Sequence, residues 1–368
     1  MKLILPILIF LVLASACPAS AEPFNEPALI AAARTEPPLL VYDSTGKITK
    51  QADNFARKYG LKTVGIKSKV TQTIKIVTSE EKAGNVHADV VVIIDAPAAV
   101  AELIRPGYVV NYLPADMAGK VPVAMQNPLF LATAVDVFSY NTALNKDGCP
   151  VKNIWALTEP KWRGRFAMQD PLGKPTYTNW FNQMEDHFDS AIAEAYEEFY
   201  GKPFKSDQES ATAAWVAALA KNQPLLTHSD SDAADAVGAP DAKQNFMGLL
   251  STGKYRENKN GRTLGLCTGL KPFAGYGQPS LIFITKDAPS PNAAKLFVHY
   301  MLTGEGIAPQ AVDGKISPNP DNTLPADEPS GIGRHLDELM PYDTKTAVDD
   351  WNRRQDWQDL WAINHQEN

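Results

Sequence analysis

The residues best suited to hold a small charged guest fall in three short stretches of this 368-residue chain. Ser44-Thr45-Gly46 stands at the start of a helical pattern, where two hydroxyls and the unsatisfied N–H groups of a first helical turn together suit a phosphate or carboxylate. An N-cap followed by a tight turn accounts for the same residues without a ligand. Gly173-Lys174-Pro175-Thr176-Tyr177-Thr178 is a second such start. Pro175 fits a first helical position and leaves Thr176 and Thr178 near exposed donors, while Lys174 adds charge. The third stretch is His228-Ser229-Asp230, at the end of the short apolar strand pattern Leu225-Leu226. An imidazolium donates to an anion and a carboxylate accepts from hydroxyls or an ammonium, so these residues suit the reading of a polar solute. The competing view packs His228 in the core and uses Asp230 as a helix cap.

Bond-breaking chemistry usually leaves other marks. The chain has no Gly-x-x-x-x-Gly-Lys-Ser/Thr phosphate loop, no Gly-x-Ser-x-Gly elbow and no His-Glu-x-x-His pair. Its six histidines are scattered, and Cys149 and Cys267 lie too far apart for a Cys-x-x-Cys metal knuckle. These features favour binding over catalysis, with no catalytic residue, metal ligand or cofactor assigned. The one hydrolytic reading uses His228 as base and Asp230 as its partner on a phosphate ester. Tyr196 and Tyr200 are one helical turn apart, but Glu194, Glu197 and Glu198 flank them, which marks a solvated helix face rather than a pair of phenolate ligands.

The elements that must position these groups follow from periodicity. Leu39 to Asp43 reads as a strand, and Ile48 to Tyr59 as a helix with Ala52, Phe55 and Ala56 on one face, stopped by Gly60. Leu61 to Ile66, Ile74 to Gly84 and Ala88 to Asp95 continue as strand, helix and strand, and this βαβαβ order predicts a parallel sheet with covered faces. Such a sheet binds ligands beyond the carboxyl ends of its strands, where Ser44, Thr45 and Asp95 fall. Leu131 to Tyr140 reads as a strand into a second domain, and Ser280 to Lys286 as the return. Tyr276, just before that return, is placed either to line the cleft or to pack in a turn. Pro291 to Leu302 reads as a helix stopped by Gly304-Glu305-Gly306, and the Pro- and Asp-rich stretch from Ser317 to Pro329 as a surface wrap. Trp351, Trp357 and Trp361 have roughly helical spacing and predict a tail helix docked on a lobe.

Met1-Lys2, the apolar run Leu3 to Ala16 and Ala19-Ser20-Ala21 have the plan of a secretory signal cleaved near Ala21. The loosely lipobox-like Leu13 to Cys17 offers a lipidated Cys17 instead, although Ala14 stands where a larger aliphatic is usual. The formal charge of −7 makes nucleic acid and anionic membrane surfaces poor partners, so an anionic guest must be held by local donors. In an oxidising compartment Cys149 and Cys267 are either disulfide-bonded or two buried thiols.

Phe138-Ser139-Tyr140-Asn141-Thr142, Leu157-Thr158-Glu159-Pro160-Lys161-Trp162 and Gln169-Asp170-Pro171 together form an ordered series of strand, anchored turn and helix entry. This series resembles the middle of the solute-binding proteins of bacterial ABC importers, in the branch that captures ferric ion, phosphorylated sugars or aminoethylphosphonate, and the resemblance runs from about Leu39 to about Ala308. It implies an α/β, type II two-lobe periplasmic binding protein fold, each lobe a mainly parallel sheet with flanking helices, joined by two hinge crossings. The expected division is residues 1–21 as signal peptide, 22–137 with 281–325 as lobe 1, 138–280 as lobe 2, and 326–368 as a helical tail packed on the lobes. The resemblance also implies a periplasmic monomer that hands a small anionic solute to an ABC permease in the inner membrane, with Ser44, Thr45, Asp95, Thr176, Tyr177, Thr178, His228, Ser229, Asp230 and Tyr276 facing that solute. Ferric-ion binders of the branch carry adjacent tyrosines where this chain has His228-Ser229-Asp230. Hard Fe³⁺ wants anionic oxygen donors, so the expectation is a phosphorylated organic solute, with a ferric-ion receptor as the alternative within transport.

Overall fold

The computed structural model describes residues 23–366, so the predicted signal sequence, its cleavage near Ala21 and the lipidation alternative at Cys17 lie outside the described residues. After helix α1 (Glu26–Ala33), the chain forms β1 (Leu39–Asp43), α2 (Lys47–Tyr59), β2 (Thr63–Lys67), α3 (Val70–Ala83) and β3 (Val90–Ile93). Both helices end on a glycine in the left-handed region, Gly60 at φ 68° and Gly84 at φ 63°, where a side chain would be strained. β1 pairs in parallel with β2 and with β3, as crossover helices require. Helix α2 buries Ile48, Ala52 and Phe55 on the sheet. It approaches β2 so closely that a Cβ on Gly65 would stand 2.5 Å from the Ile48 carbonyl oxygen. A short helix α4 (Ala96–Ala98) continues as a π-helical stretch Ala99–Ile104 into β4 (Val109–Val110).

The long strand β5 (Phe130–Asn141) then leaves this lobe. It leads to β6 (Phe166–Gln169), α5 (Pro175–Tyr200), α6 (Ala211–Lys221), β7 (Leu225–Thr227), α7 (Asp230–Gly238), β8 (Met247–Ser251) and β9 (Leu264–Leu266), and β10 (Gly275–Thr285) returns. The strand order β2-β1-β3-β10-β5-β8-β6-β7 makes one sheet of both lobes, and β5 with β10 forms the antiparallel pair between them. This is a two-lobe periplasmic binding protein fold. Along that pair Pro279 faces Thr133, and the register shifts between Ser280 and Leu281. Trp155, anchored by its indole N–H on the Ile192 carbonyl at 3.0 Å, packs in the second lobe's core with Trp180 and Trp215. Cys149 and Cys267 are disulfide-bonded, with Cα atoms 5.0 Å apart.

Helices α8 (Pro291–Met301) and α9 (Gly304–Ala311) cover the first lobe. Here the sequence expectation needs correcting. Gly304-Glu305-Gly306 opens α9 rather than merely stopping α8, because the Thr303 hydroxyl caps the Gly306 N–H at 3.2 Å. After β11 (Leu339–Met340), the tail forms α10 (Ala347–Asn352) and α11 (Arg354–Gln366). It docks on both lobes. Trp351 packs against the first lobe's core, whereas Trp357 and Trp361 are buried in the second's. Between them Arg354 donates to Asp95 Oδ1 at 2.7 Å and to Asn179 Oδ1 at 3.0 Å. Asp350 accepts from Asn182 at 2.8 Å, from Gln183 at 3.0 Å and from the Tyr342 hydroxyl. No helix among the described residues is long and apolar enough to cross a membrane.

Candidate functional site

A cleft of about 380 Å³ lies between the lobes, beyond the carboxyl ends of β1 and β2. The β1–α2 turn Ser44-Thr45-Gly46, Lys67 at the end of β2, and Lys315 form its first-lobe wall. Its floor is Asp136 of β5 and Gln278 of β10, and Lys174, Asp230, Lys254 and Arg256 face it from the second lobe. Another cavity, of about 370 Å³, lies under the 316–336 wrap, but Glu328 there is already committed to the Ser330 and Ile332 N–H groups at 2.9 and 3.2 Å. Among the described residues, the interlobe cleft gathers five basic side chains, whereas the cavity under the wrap has one, Arg334.

Each wall is built from below. The Ser44-Thr45 turn rests on Asp43, whose Oδ1 accepts from the Thr45 N–H at 3.2 Å and whose Oδ2 accepts from Gln310 at 3.0 Å. Burial pushes the Asp43 pKa up, against the opposing effect of Lys315 and these hydrogen bonds. On the floor, Asp136 Oδ2 accepts from Lys174 Nζ at 2.8 Å, the Tyr276 hydroxyl at 2.9 Å and Gln278 Nε2 at 3.0 Å. Burial disfavours the Lys174 charge, but Asp136 and Asp230 outweigh it and raise its pKa, so Lys174 is an ammonium. Asp230 accepts from the Ser251 N–H at 3.3 Å and the Ser251 hydroxyl at 2.7 Å, and burial raises its pKa despite Lys174. Asp313 spans the cleft edge, with Lys47 at 3.3 Å and Arg256 at 3.0 Å.

The structure therefore brings together Ser44, Thr45 and Asp230 of the expected set, and gives the others different places. Tyr177 is fully buried beneath Lys174, whose Nζ lies 4.2 Å from its ring centroid. Thr178 is also fully buried and donates to the Pro175 carbonyl at 2.7 Å, so its hydroxyl serves the helix. Thr176 lines a tight crevice with Trp180, Tyr276 and Gln278, not the cleft. Tyr276 stacks on Trp180 with centroids 4.7 Å apart, and burial, then Asp136, holds its pKa well above the usual phenol value. Asp95 caps α4 through the Ala98 N–H at 3.3 Å and binds Arg354, which makes it an interlobe strut. Ser229 is the N-cap of α7, bonded to the Asp232 N–H at 3.2 Å. His228 precedes this cap at the end of β7, outside the cleft lining.

Lys67, Asp136, Lys254, Arg256, Gln278, Asp313 and Lys315 escaped the sequence reading. Asp136 and Gln278 did carry a signal: each is a polar side chain inside a strand that is otherwise buried and apolar, where such a group needs partners. The basic residues lie in separate loops joined only by the fold.

The profile of the bacterial extracellular solute-binding protein family matches residues 39–314. No curated protein matches the chain in sequence. Among solved structures, it is similar to the substrate-binding protein of an ABC transporter from Agrobacterium tumefaciens, with 14% identity, 92% of this chain and 97% of that one covered, and a TM-score of 0.67. Iron-bound HitA from Pseudomonas aeruginosa is 17% identical over 89% of this chain and 99% of its own, with a TM-score of 0.64. AfuA from Actinobacillus pleuropneumoniae, with exogenous fructose-6-phosphate bound, is 18% identical over 90% of this chain and 99% of its own, with a TM-score of 0.64. At these identities the likeness is one of fold.

Proposed function

The chain belongs to the bacterial extracellular solute-binding protein family, and from that premise we propose that its cleft captures a small phosphorylated organic solute for delivery to an ABC permease. The observation that carries this reading is the excess of cations in the cleft of an acidic protein. Five basic side chains line it against three carboxylates, and Arg256, Lys174 and Lys254 already have those carboxylates as neighbours. Burying a phosphate without full hydrogen bonding is very costly, and Ser44, Thr45 and the cations supply the donors.

The donor set does not favour ferric ion. Tyr177 and Tyr276 are buried, and burial raises both phenol pKa values, so neither is a phenolate ligand. Among the described residues no group of three His, Cys, Asp or Glu side chains could hold a metal. A hydrolytic role is not favoured either, because Asp230 gives its oxygens to Ser251 rather than to His228. The reading keeps the protein a binder without a catalytic step, periplasmic after cleavage near Ala21, with residues 22–137 and 281–325 as lobe 1 and 138–280 as lobe 2.

Native mass spectrometry of freshly purified protein tests this reading: the expected result is a carried-over phosphorylated molecule that denaturation releases. A red absorbance band on adding Fe³⁺, with no affinity for phosphate esters, would replace it with the ferric alternative. Ser44→Ala combined with Thr45→Ala is expected to weaken binding by about tenfold or more in titration calorimetry, because hydrogen bonds to a charged group contribute about 1.5–3 kcal/mol each.

A further inference from the structure

The cations of the cleft are of two kinds. Those facing it from the second lobe have carboxylates: Lys174 has Asp136 at 2.8 Å, Arg256 has Asp313 at 3.0 Å, and Lys254 has Asp230 at 3.9 Å. Lys67 and Lys315 on the first-lobe wall are uncommitted. Neither makes an ion pair or a side-chain hydrogen bond among the described residues, although Lys315 lies near enough to act on the buried Asp43 beneath the turn. Lys67 lies along the same turn, its Cδ 3.8 Å from where a Cβ on Gly46 would stand. The floor shows the opposite imbalance. All three donors to Asp136 converge on Oδ2, so its Oδ1 accepts no hydrogen bond among the described residues. The Oε1 atom of Gln278 is buried without a partner.

Resting on the reading of the cleft as a solute site, we propose that it is polarised: Lys67 and Lys315 hold a doubly charged oxyanion against the first lobe, and Asp136 with Gln278 accepts hydroxyls from the uncharged remainder. Two uncommitted ammonium groups match the charge of a phosphate monoester near neutral pH. A carboxylate end leaves one of them unmatched. Acceptor oxygens on the floor call for a guest that carries O–H donors, since a second anionic group there meets Asp136. The ligand class is thus a monophosphorylated polyol or sugar bound in one orientation. The floor contributes the acceptors, and the second lobe brings already neutralised cations rather than a second anion pocket.

Titration calorimetry of the purified protein with glucose 6-phosphate, inorganic phosphate and glucose tests the orientation. Wild type is expected to bind glucose 6-phosphate more tightly than inorganic phosphate and glucose least of all. Lys315→Met and Lys67→Met should each weaken both phosphorylated probes alike, by about tenfold or more for a lost charge-assisted contact. Gln278→Met, checked for an unchanged melting temperature, should weaken glucose 6-phosphate by about fivefold or more while leaving inorganic phosphate within about threefold. Wild-type binding that both lysine variants retain, or a Gln278→Met loss equal for the two phosphorylated probes, overturns the orientation and leaves the solute class standing. Failure of wild type to bind either phosphorylated probe overturns the solute class and the orientation with it.

Discussion

The two lobes meet across the cleft and along the tail, and the two junctions are built differently. At the cleft, the ion pair between Arg256 and Asp313 and one hydrogen bond, from the Thr252 hydroxyl to the Asp313 carbonyl at 2.8 Å, join them, with the Arg256 side chain 44% exposed. Along the tail, Arg354 and Asp95 are 15% and 5% exposed, Asn179 closes the triangle, and Trp357 and Trp361 are buried in the second lobe's core. An exposed ion pair contributes little, whereas removing one partner of a buried pair leaves a charge without compensation. The tail is therefore the more firmly held of the two junctions, and the cleft edge is the one expected to part first.

The sharpest test of that contrast is at the tail. Arg354→Met strands Asp95 and should cost about 3–5 kcal/mol in urea unfolding, with Trp361→Ala of similar size through the cavity it leaves. A loss below about 1 kcal/mol for Arg354→Met would show that the seam is not sealed.

The next effect is one of pH. Burial first, then Asp186, pushes Asp350 up to about 6, against hydrogen bonds from Tyr342, Asn182 and Gln183, and burial also pushes Asp89 of the first lobe up to about 6. A carboxyl whose folded pKa lies above its unfolded value, about 3.9, binds its proton more tightly when folded. Its contribution to stability is present at low pH and is lost as pH rises through 6. Melting temperature should thus rise on mild acidification from pH 7.5 toward 5, and Asp350→Asn should remove about 1 kcal/mol of that gain. An unchanged slope would remove Asp350 from the account.

The smallest effect belongs to the cleft edge. Arg256→Ala should change stability by less than about 1 kcal/mol, yet speed ligand release in stopped flow, because the Asp313 carboxylate then keeps only Lys47, and its carbonyl alone still meets the second lobe through the Thr252 hydroxyl. A stability loss comparable to that of Arg354→Met would erase the distinction between the two junctions.

Local patterns in the chain were enough to place β1, α2, β5 and the tail helices, since each rests on periodicity and on stops such as Gly60. Ser44 and Thr45 were legible for the same reason: a strand end before a helix is a local event. Tyr177 was misjudged, although Tyr177, Trp180, Phe181 and Met184 form a stripe at helical spacing, and all four are buried. Lys67 and Lys315 were not legible at all, because nothing near them in the chain distinguishes them from solvated lysines. Only the closure of the first lobe, which sets the segment after α9 beside the end of β2, makes them one wall. Asp95 sat where the strand-end rule put it, but Arg354, some 259 positions onward, claims its carboxylate.

The irregularity in the β5–β10 pair lies where the two lobes join. Pro279 stands opposite Thr133, whose N–H and carbonyl both go to Ile316 at 2.7 and 3.0 Å, so the pair tolerates a residue without an N–H, and one step later the register slips between Ser280 and Leu281, where the Ser280 hydroxyl is buried without a partner. With one residue of β5 unpaired at the slip, twisting of the ribbon should be easiest at residues 279–281, where amide hydrogen exchange is expected to be faster than at the flanking rungs.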